Sequence, residues 1–166
     1  MFKVGDFVVY GKTGVCKIID ICEKELIVNT KKQYYVLNPV FESKNIIYAP
    51  TDNEKIFMRN IITKAQAEEL ILKIPMIRKK IKFNEEELKE LNTVLSSYTC
   101  DDLVGLTAQI YEKKKLAIEN KKRLGFSDER IMRKSENLLF GELAVALGIN
   151  IEDVQEYIKN KLRTDI

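Results

Sequence analysis

Three cysteines are the residues of this sequence best suited to metal binding or nucleophilic chemistry, and no histidine accompanies them. Cys16, Cys22 and Cys100 show no Cys-x-x-Cys spacing, so they lack the paired ligands of common zinc sites. Without histidine, Ser-His and Cys-His nucleophile pairs are excluded. We therefore expect structural thiols, with no metal and no cofactor. Cys16 and Cys22 would share one face of a strand if that strand is regular.

Carboxylates and glycines do not suggest a catalytic site either. No aspartate or glutamate stands in the apolar, glycine-punctuated setting that tunes a carboxyl group for catalysis. The stretch "GKTG" at 11–14 lacks the preceding glycine and the following helix of a phosphate-binding loop. The sequence therefore predicts a protein that is not an enzyme.

Charge is clustered locally, although the chain as a whole is nearly balanced. The 28 basic and 25 acidic side chains give a net charge of +3, so a nucleic-acid role must depend on local clusters. The first residues lack the apolar run of a signal peptide, and no stretch reaches the roughly 18 apolar residues of a membrane span. These features predict a cytoplasmic protein, a location in which free thiols are expected.

The first basic segment, "KIPMIRKKIK" at 73–82, contains five lysines and arginines and no acid. Because Pro75 is expected to end the preceding helix, the residues after it would form a connector that presents side chains to a phosphate ribbon. Phe83 has two interpretations: an apolar wedge at a base step, or a hydrophobic contact at the start of the next helix. The main candidates for DNA contact are Arg78, Lys79, Lys80, Lys82 and Phe83.

Two further basic groups lie later in the chain. Residues 113–123 carry six lysines and arginines against the single acid Glu119. Arg130 and Lys134 belong to the next group and are secondary candidates for DNA contact. A basic run on a helix is also typical of a solvated face, and the sequence leaves both interpretations open.

Strand-like patterns fill the chain from Phe2 to about Pro50. Five short runs rich in Val, Ile and Tyr are predicted to be strands: "DFVVY", "GVCKIIDIC", "ELIVN", "YYVLN" and "NIIYA". Such strands suit a small closed or half-closed barrel, which removes free sheet edges. Gly11 and Gly14 are expected to form the corner between the first two strands, where positive φ is needed.

From about Thr63 the hydrophobic period becomes helical. Thr63 and Gln66 have the spacing of a capping box, and Pro75 would end that helix. Four more helices are predicted, beginning at Asn84, near Asp101, at Ser127 or Asp128, and after Asn150. The third is expected to end at Gly125 and the fourth at Gly148. The chain therefore combines a β module with an all-α C-terminal helical bundle.

Four segments, in order, resemble the CarD/CdnL family of transcription regulators, whose RNA polymerase-interacting domain is shared with transcription-repair coupling factor. "FKVGDFVVYGKTGV" is similar to the opening signature of the family, and "QYYVL" at 33–37 to its Tyr-containing fourth strand. "IIYAP" at 46–50, followed by Arg59, resembles the exit from the last strand. "LLFGELAVALG" at 138–148 resembles the family's G-E-L-A helix.

The resemblance implies an α+β two-domain protein. Residues 1–60 would form a five-stranded Tudor-like/SH3-like β-barrel, the RNA polymerase-interacting domain, and residues 61–166 a helical DNA-contacting domain. The barrel is expected to bind the RNA polymerase β subunit through edge strands, with Lys24, Leu26 and Tyr48 at the contact. Tyr48 stands where the family usually has an arginine.

The resemblance also implies that the helical domain touches promoter DNA, weakly and largely without sequence preference. It would thereby modulate the stability of the open promoter complex in a bacterial cell. Members of the family usually carry a tryptophan and basic residues at the start of the second C-terminal helix. Here Asn84 and the carboxylates of Glu85, Glu86 and Glu87 occupy that place, and the chain has no tryptophan.

This departure leaves two hypotheses for the helical domain. Phe83 and the basic residues before it take over the DNA contact, or the contact is lost and the protein is a polymerase- or protein-binding adaptor. A general nucleic-acid-binding protein without a polymerase partner is a third possibility, suggested by the lysine runs. No small-molecule substrate and no membrane partner are expected.

Overall fold

The computed structural model describes residues 1–41, 45–93, 95 and 97–164. Its contacts divide the chain into two compact units, Met1–Ile61 and Ile62–Ile166, whereas the sequence analysis placed the division between residues 60 and 61. The first unit is an antiparallel sheet and the second is helical. This α+β two-part architecture confirms the change of period along the sequence.

The first unit is a five-stranded sheet with the strand order β4-β3-β2-β1-β5. Its strands are β1 (Phe7–Tyr10), β2 (Gly14–Ile27), β3 (Thr30–Pro39), β4 (Ile47–Pro50) and β5 (Met58–Asn60). Every pair of neighbours is antiparallel. Among the described residues the two edge strands, β4 and β5, do not pair with each other. The sheet is therefore open, and a closed Tudor-like or SH3-like barrel is not confirmed.

The strands differ from the prediction in two ways: two predicted strands are one, and one strand was not predicted. The second and third predicted strands are one long strand, because β2 continues to Ile27 and the chain reverses at the two-residue turn Val28–Asn29. Asn29 has a φ of 62°, a left-handed conformation that asparagine tolerates in such turns. The three-residue strand β5 was missed because it is too short to show alternation.

The glycine corner between β1 and β2 is confirmed. Gly11 begins a 3₁₀ turn at Gly11–Thr13 and Gly14 follows it; their φ values are 45° and 87°. The Gly11 amide donates a hydrogen bond of 2.8 Å to the carbonyl of Phe57. A Cβ atom on Gly11 would lie 2.9 Å from Cγ2 of Ile56. Position 11 therefore requires glycine for its conformation and for its close packing.

A β-bulge in β2 decides which side chains face the core. Ile18 pairs with Leu37 but Asp20 pairs with Val36, so Ile19 is an extra residue in the strand. One extra residue reverses the alternation of faces. The hydrophobic core contains Val8, Tyr10, Cys16, Ile18, Tyr35, Leu37 and Ala49. The even-numbered residues of β2 after the bulge point to the opposite face. The strand between Cys16 and Cys22 is thus not regular, which was the condition for a shared face, and the two thiols lie on opposite faces.

The second unit contains five α-helices in the part of it that the structure describes. They are α1 (Lys64–Lys80), α2 (Glu85–Thr93), α3 (Cys100–Glu119), α4 (Phe126–Leu147) and α5 (Val154–Thr164). The capping box of Thr63 and Gln66 is confirmed. Oδ1 of Asn84 accepts hydrogen bonds from the amides of Glu86 and Glu87, which confirms the predicted start of α2.

Two helix ends differ from the sequence prediction and a third agrees with it. α3 ends at Glu119 rather than near Gly125, and Lys121 beyond it has a φ of 55°. α4 starts at Phe126 after Gly125 and not at a Ser127 or Asp128 cap. Its predicted end at Gly148 is confirmed, with a left-handed φ of 70°. No helix of the described residues is both long and apolar enough to cross a membrane.

Pro75 does not end α1, which continues to Lys80. Proline inside a helix removes a hydrogen bond and costs about 3 kcal/mol. Contacts made after Pro75 favour continuation: Ile77 is partly buried, and the guanidinium carbon of Arg78 lies 4.6 Å from the centroid of the Tyr111 ring. The connector prediction for residues 78–82 is thus corrected: Arg78, Lys79 and Lys80 form the last helical turn, where cations interact favourably with the helix dipole.

The corner at Gly11 generates a stability prediction. Gly11→Ala should lower the free energy of unfolding by about 1–3 kcal/mol, because a side chain at positive φ is strained and the new methyl group meets Ile56. Gly105→Ala is the matched control: it lies inside α3, where its Cβ would be 3.9 Å from Leu91, and should stabilise by about 0.5–1 kcal/mol. Urea unfolding of both variants measures this, and an unchanged Gly11→Ala protein would contradict it.

Candidate functional site

Lys24 and Tyr48 meet on the face of the sheet opposite the core. Lys24 reaches this face because it follows the bulge in β2, and Tyr48 reaches it from β4 through its pairing with Val36. The ammonium nitrogen of Lys24 lies 3.8 Å from the centroid of the Tyr48 ring. A hydrogen bond with Tyr48 is the largest cause that raises the pKa of Lys24 above its ordinary value. Two of the three predicted polymerase contacts therefore form one lysine–aromatic pair.

A second lysine lies directly opposite Lys24 in the sheet. Lys24 in β2 and Lys32 in β3 are cross-strand partners, and like charges in that position repel. Each has its own acceptor: Lys32 forms a 2.9 Å ion pair with Asp52, and Lys24 lies over the ring of Tyr48. The hydrogen bond from Lys32 lowers the pKa of Asp52. Of these two lysines, Lys24 is thus the one whose charge no carboxylate neutralises among the described residues.

Leu26 lies further along the β2–β3 hairpin, near its turn. It is 55% exposed, and the two residues after it, Ile27 and Val28, are also exposed. Exposed aliphatic side chains in a row are typical of contact surfaces. The three predicted polymerase contacts thus offer a cation, an aromatic ring and an aliphatic side chain from β4 and one hairpin.

Within the described ranges, no strand pairs with the outer side of β4. The Thr51 amide donates to the Gln33 carbonyl at 3.0 Å, which marks a hydrogen-bonded pair next to the last pair of the β3–β4 ladder. In an antiparallel ladder the bonded pairs alternate, so Ala49 bonds to β3 while the N–H and C=O of Tyr48 point outward. Pro50 offers only its carbonyl. The edge can therefore accept a short added strand centred on Tyr48.

The basic turn at the end of α1 is partly held against α3. The guanidinium carbon of Arg78 lies 4.6 Å from the centroid of the Tyr111 ring, and Lys115 approaches the same ring at 5.8 Å. Lys79, Lys80 and Lys82 are exposed, and within the described residues they form no ion pair. A sequence-independent phosphate contact could use these three without breaking an existing pair.

Phe83 is partly buried rather than freely exposed. The ammonium nitrogen of Lys113 lies 5.5 Å from the centroid of its ring. Lys113 also forms ion pairs of 2.8 Å with Asp128 and 3.3 Å with Glu85. Burial alone would lower the pKa of Lys113, but its hydrogen bonds with these carboxylates raise it. The ring therefore contributes a packed contact at the start of α2 in this structure.

Two buried polar side chains that the sequence analysis missed fix the backbone around the helices. Gln109 is fully buried in α3; its Oε1 accepts from the Asn84 amide at 3.0 Å and its Nε2 donates to Glu87 at 2.8 Å. Glu142, in the "GELA" segment, is also fully buried and accepts from the Ile62 amide at 3.0 Å. The sequence signal for both residues was a single amide or acid on an otherwise apolar helix face, since a buried polar side chain needs a hydrogen-bond partner.

Arg130 and Lys134 lie one turn apart on α4 and are exposed. Within the described part of the chain neither forms an ion pair. The structure therefore places the secondary DNA candidates together on one helix face, at a four-residue spacing.

A cavity of about 310 Å³ lies between α1, α3, α4 and α5. Its apolar lining includes Ile74, Val104, Leu139, Phe140, Ile158 and Leu162. Glu136 also lines it, and burial raises the pKa of this carboxyl group although Lys114 acts in the opposite direction. The charged form of Glu136 is therefore less stable in the folded protein than in water.

No metal centre is found in the described ranges of the chain: no three His, Cys, Asp or Glu side chains are grouped so as to hold an ion. None of the three cysteines forms a disulfide; Cys16 and Cys100 are buried and Cys22 is partly exposed.

Comparison with known proteins identifies the first unit. Residues 2–62 match the family model of the CarD-like/TRCF RID domain. The match spans all five strands and includes Lys24, Leu26 and Tyr48. A search of the curated proteins found no match for the chain.

The pKa of Glu136 generates a prediction for stability against pH. Because the folded-state pKa is raised, folding favours the protonated acid, and that contribution is lost as the pH rises through the folded-state value. Glu136→Gln should therefore be more stable than wild type at neutral pH and equal to it below about pH 4. Urea unfolding at both pH values checks this. A variant that is less stable at neutral pH, or equally advantaged in acid, would contradict it.

Proposed function

This chain is a CarD-like family member through the RNA polymerase-interacting domain at residues 2–62, and from that premise we propose that it is a non-enzymatic, cytoplasmic regulator of bacterial transcription. RNA polymerase is the partner of such domains. The finer proposal is that the N-terminal unit binds the β subunit, and that the helical unit acts on promoter DNA to modulate the stability of the open complex.

The Lys24–Tyr48 pair, with Tyr48 on the edge strand β4, carries the proposal of β-subunit binding. A strand added to β4 would form hydrogen bonds with the outward backbone groups of Tyr48. Lys24 offers an unneutralised charge beside that edge, and Leu26 offers exposed apolar surface. Backbone pairing supplies affinity and the flanking side chains supply specificity. The tyrosine in place of the family's arginine leaves Lys24 as the main cation of this contact.

Tethering explains how modest charge clusters could act on DNA. A helical unit attached to a polymerase-bound domain meets the promoter at high effective concentration, so weak phosphate contacts suffice. The candidate contacts are Arg78, Lys79, Lys80, Lys82, Phe83, Arg130 and Lys134. Contacts that differ between the closed and the open promoter complex would shift the equilibrium between them.

A second candidate function is a polymerase- or protein-binding adaptor without DNA contact. It is favoured by the three exposed carboxylates Glu85, Glu86 and Glu87 at the start of α2, which repel phosphate. It is also favoured by the position of Phe83 beneath Lys113, which leaves less of the ring available as a wedge.

The polymerase contact is tested with the variant Lys24→Glu/Tyr48→Ala. It should bind the isolated polymerase β subunit at least about tenfold more weakly, since truncating central contact residues commonly costs more than about 1 kcal/mol each. Its thermal stability should change little, because both side chains are partly exposed. Binding is measured by surface plasmon resonance with the full chain.

Lys17→Glu is the matched control, because Lys17 lies 5.6 Å from the Phe7 ring in a second lysine–aromatic pair of the same sheet. It should bind like wild type. Equal binding by the double variant and wild type would reject the proposed contact. The lifetime of open complexes with and without the protein then separates the two candidate functions: a regulator changes the lifetime, and an adaptor leaves it unchanged.

A further inference from the structure

We infer that the turn between α3 and α4, together with the exposed face of early α4, binds single-stranded nucleic acid, with Phe126 stacking on an unpaired base. This surface, called the α4 platform, consists of Lys121, Lys122, Arg123, Phe126, Arg130 and Lys134. The inference deepens the proposed function, on whose DNA contact it rests, and assigns the single-stranded part of that contact to a surface separate from the 78–83 segment.

Phe126 is the feature that distinguishes this surface. Its side chain is 82% exposed, more than any other aromatic side chain in the described residues. It is the first residue of α4, and the residue before it is Gly125, which has no side chain to cover the ring. Phe83 differs, since Lys113 lies over its ring and it is partly buried. Exposing a phenylalanine costs free energy in water, so an occupied ring is the more stable arrangement.

The cations around Phe126 are free to bind an anion. Within the described residues, no carboxylate forms an ion pair with Lys121, Lys122, Arg123, Arg130 or Lys134. Arg130 lies four residues after Phe126 and Lys134 four residues after that, so all three share one face of α4. Two exposed acids, Glu119 and Glu129, oppose the five cations, while Asp128 is already neutralised by Lys113.

The turn that carries the cations has a defined backbone. The amide of Lys122 donates to the carbonyl of Ala117 at 2.8 Å, and that of Lys121 donates to Ile118 at 2.9 Å. Asn120 closes α3 with a further 2.9 Å bond from its side chain to the carbonyl of Leu116. The lysines therefore project from an ordered position, which reduces the entropy lost when they bind phosphates.

An aromatic ring beside unneutralised cations fits a nucleic acid strand with unpaired bases. Stacking needs the face of a base, which a duplex hides between neighbouring base pairs, and cations track the phosphate backbone. An acidic protein would satisfy the cations but offers no reason for an exposed flat ring between them in the chain. Single-stranded DNA, such as the edge of a melted promoter, supplies both partners.

The experiment compares the α4 platform with the 78–83 segment in the full chain, without polymerase. A labelled oligothymidylate and a duplex of equal length are titrated across a range of salt concentrations. Phe126→Ala should weaken binding to the single strand at least about fivefold and leave duplex binding nearly unchanged, while Phe126→Trp should retain or improve it. Lys121/Lys122/Arg123→Ala should lower the salt slope by about 2, at about 0.7 per phosphate contact.

Phe83→Ala and Arg78/Lys79/Lys80→Ala are the comparison variants, and each should weaken single-strand binding less than the corresponding platform variant. The inference is overturned if these variants lose more single-strand binding than the platform variants do. It is also overturned if wild type does not bind the single strand, or if Phe126→Ala weakens single strand and duplex equally. Polymerase is absent from the assay, so failure here leaves β-subunit binding standing, and failure of β-subunit binding leaves this result standing.

Discussion

One extra residue in β2, Ile19, determines which side chains the N-terminal unit buries and which it presents. Before the bulge, Cys16 and Ile18 face the core; after it, Asp20 and Lys24 face outward. A regular strand would direct those two charged side chains into the apolar core, where an unpaired charge is very costly. The bulge therefore makes the lysine–aromatic pair with Tyr48 possible, and the proposed polymerase contact depends on it.

In the helical unit, some cations are neutralised by carboxylates and others form no ion pair among the described residues. Lys113 is bound by two carboxylates and covers Phe83, and the buried Gln109 holds the Asn84 amide at the start of α2. Leaving the buried Gln109 unsatisfied would cost about 1–3 kcal/mol, so this region is fixed by its own contacts. The cations of the turn after α3 have no such partners among the described residues and remain available to an outside anion.

Local chemistry made several features predictable. The glycine corner, the capping box at Thr63 and the Asn84 cap are set by residues within a few positions, so their patterns were sufficient. The bulge, the short strand β5 and the passage of α1 through Pro75 depend on packing between distant segments, which no local pattern records. Lys24, Leu26 and Tyr48 came from the family resemblance, and their geometry came only with the structure. Phe126 was missed because its exposure depends on where α4 begins.

Amide hydrogen exchange on the full chain, alone and bound to the polymerase β subunit, tests most directly whether the β subunit adds a strand to β4. Exchange at the Tyr48 amide should slow strongly on binding, because that group points outward from β4 and would pair with the added strand. The neighbouring Ala49 amide, already bonded within the sheet, should be slow in both states. Unchanged exchange at Tyr48, with protection elsewhere in the chain, would contradict the account.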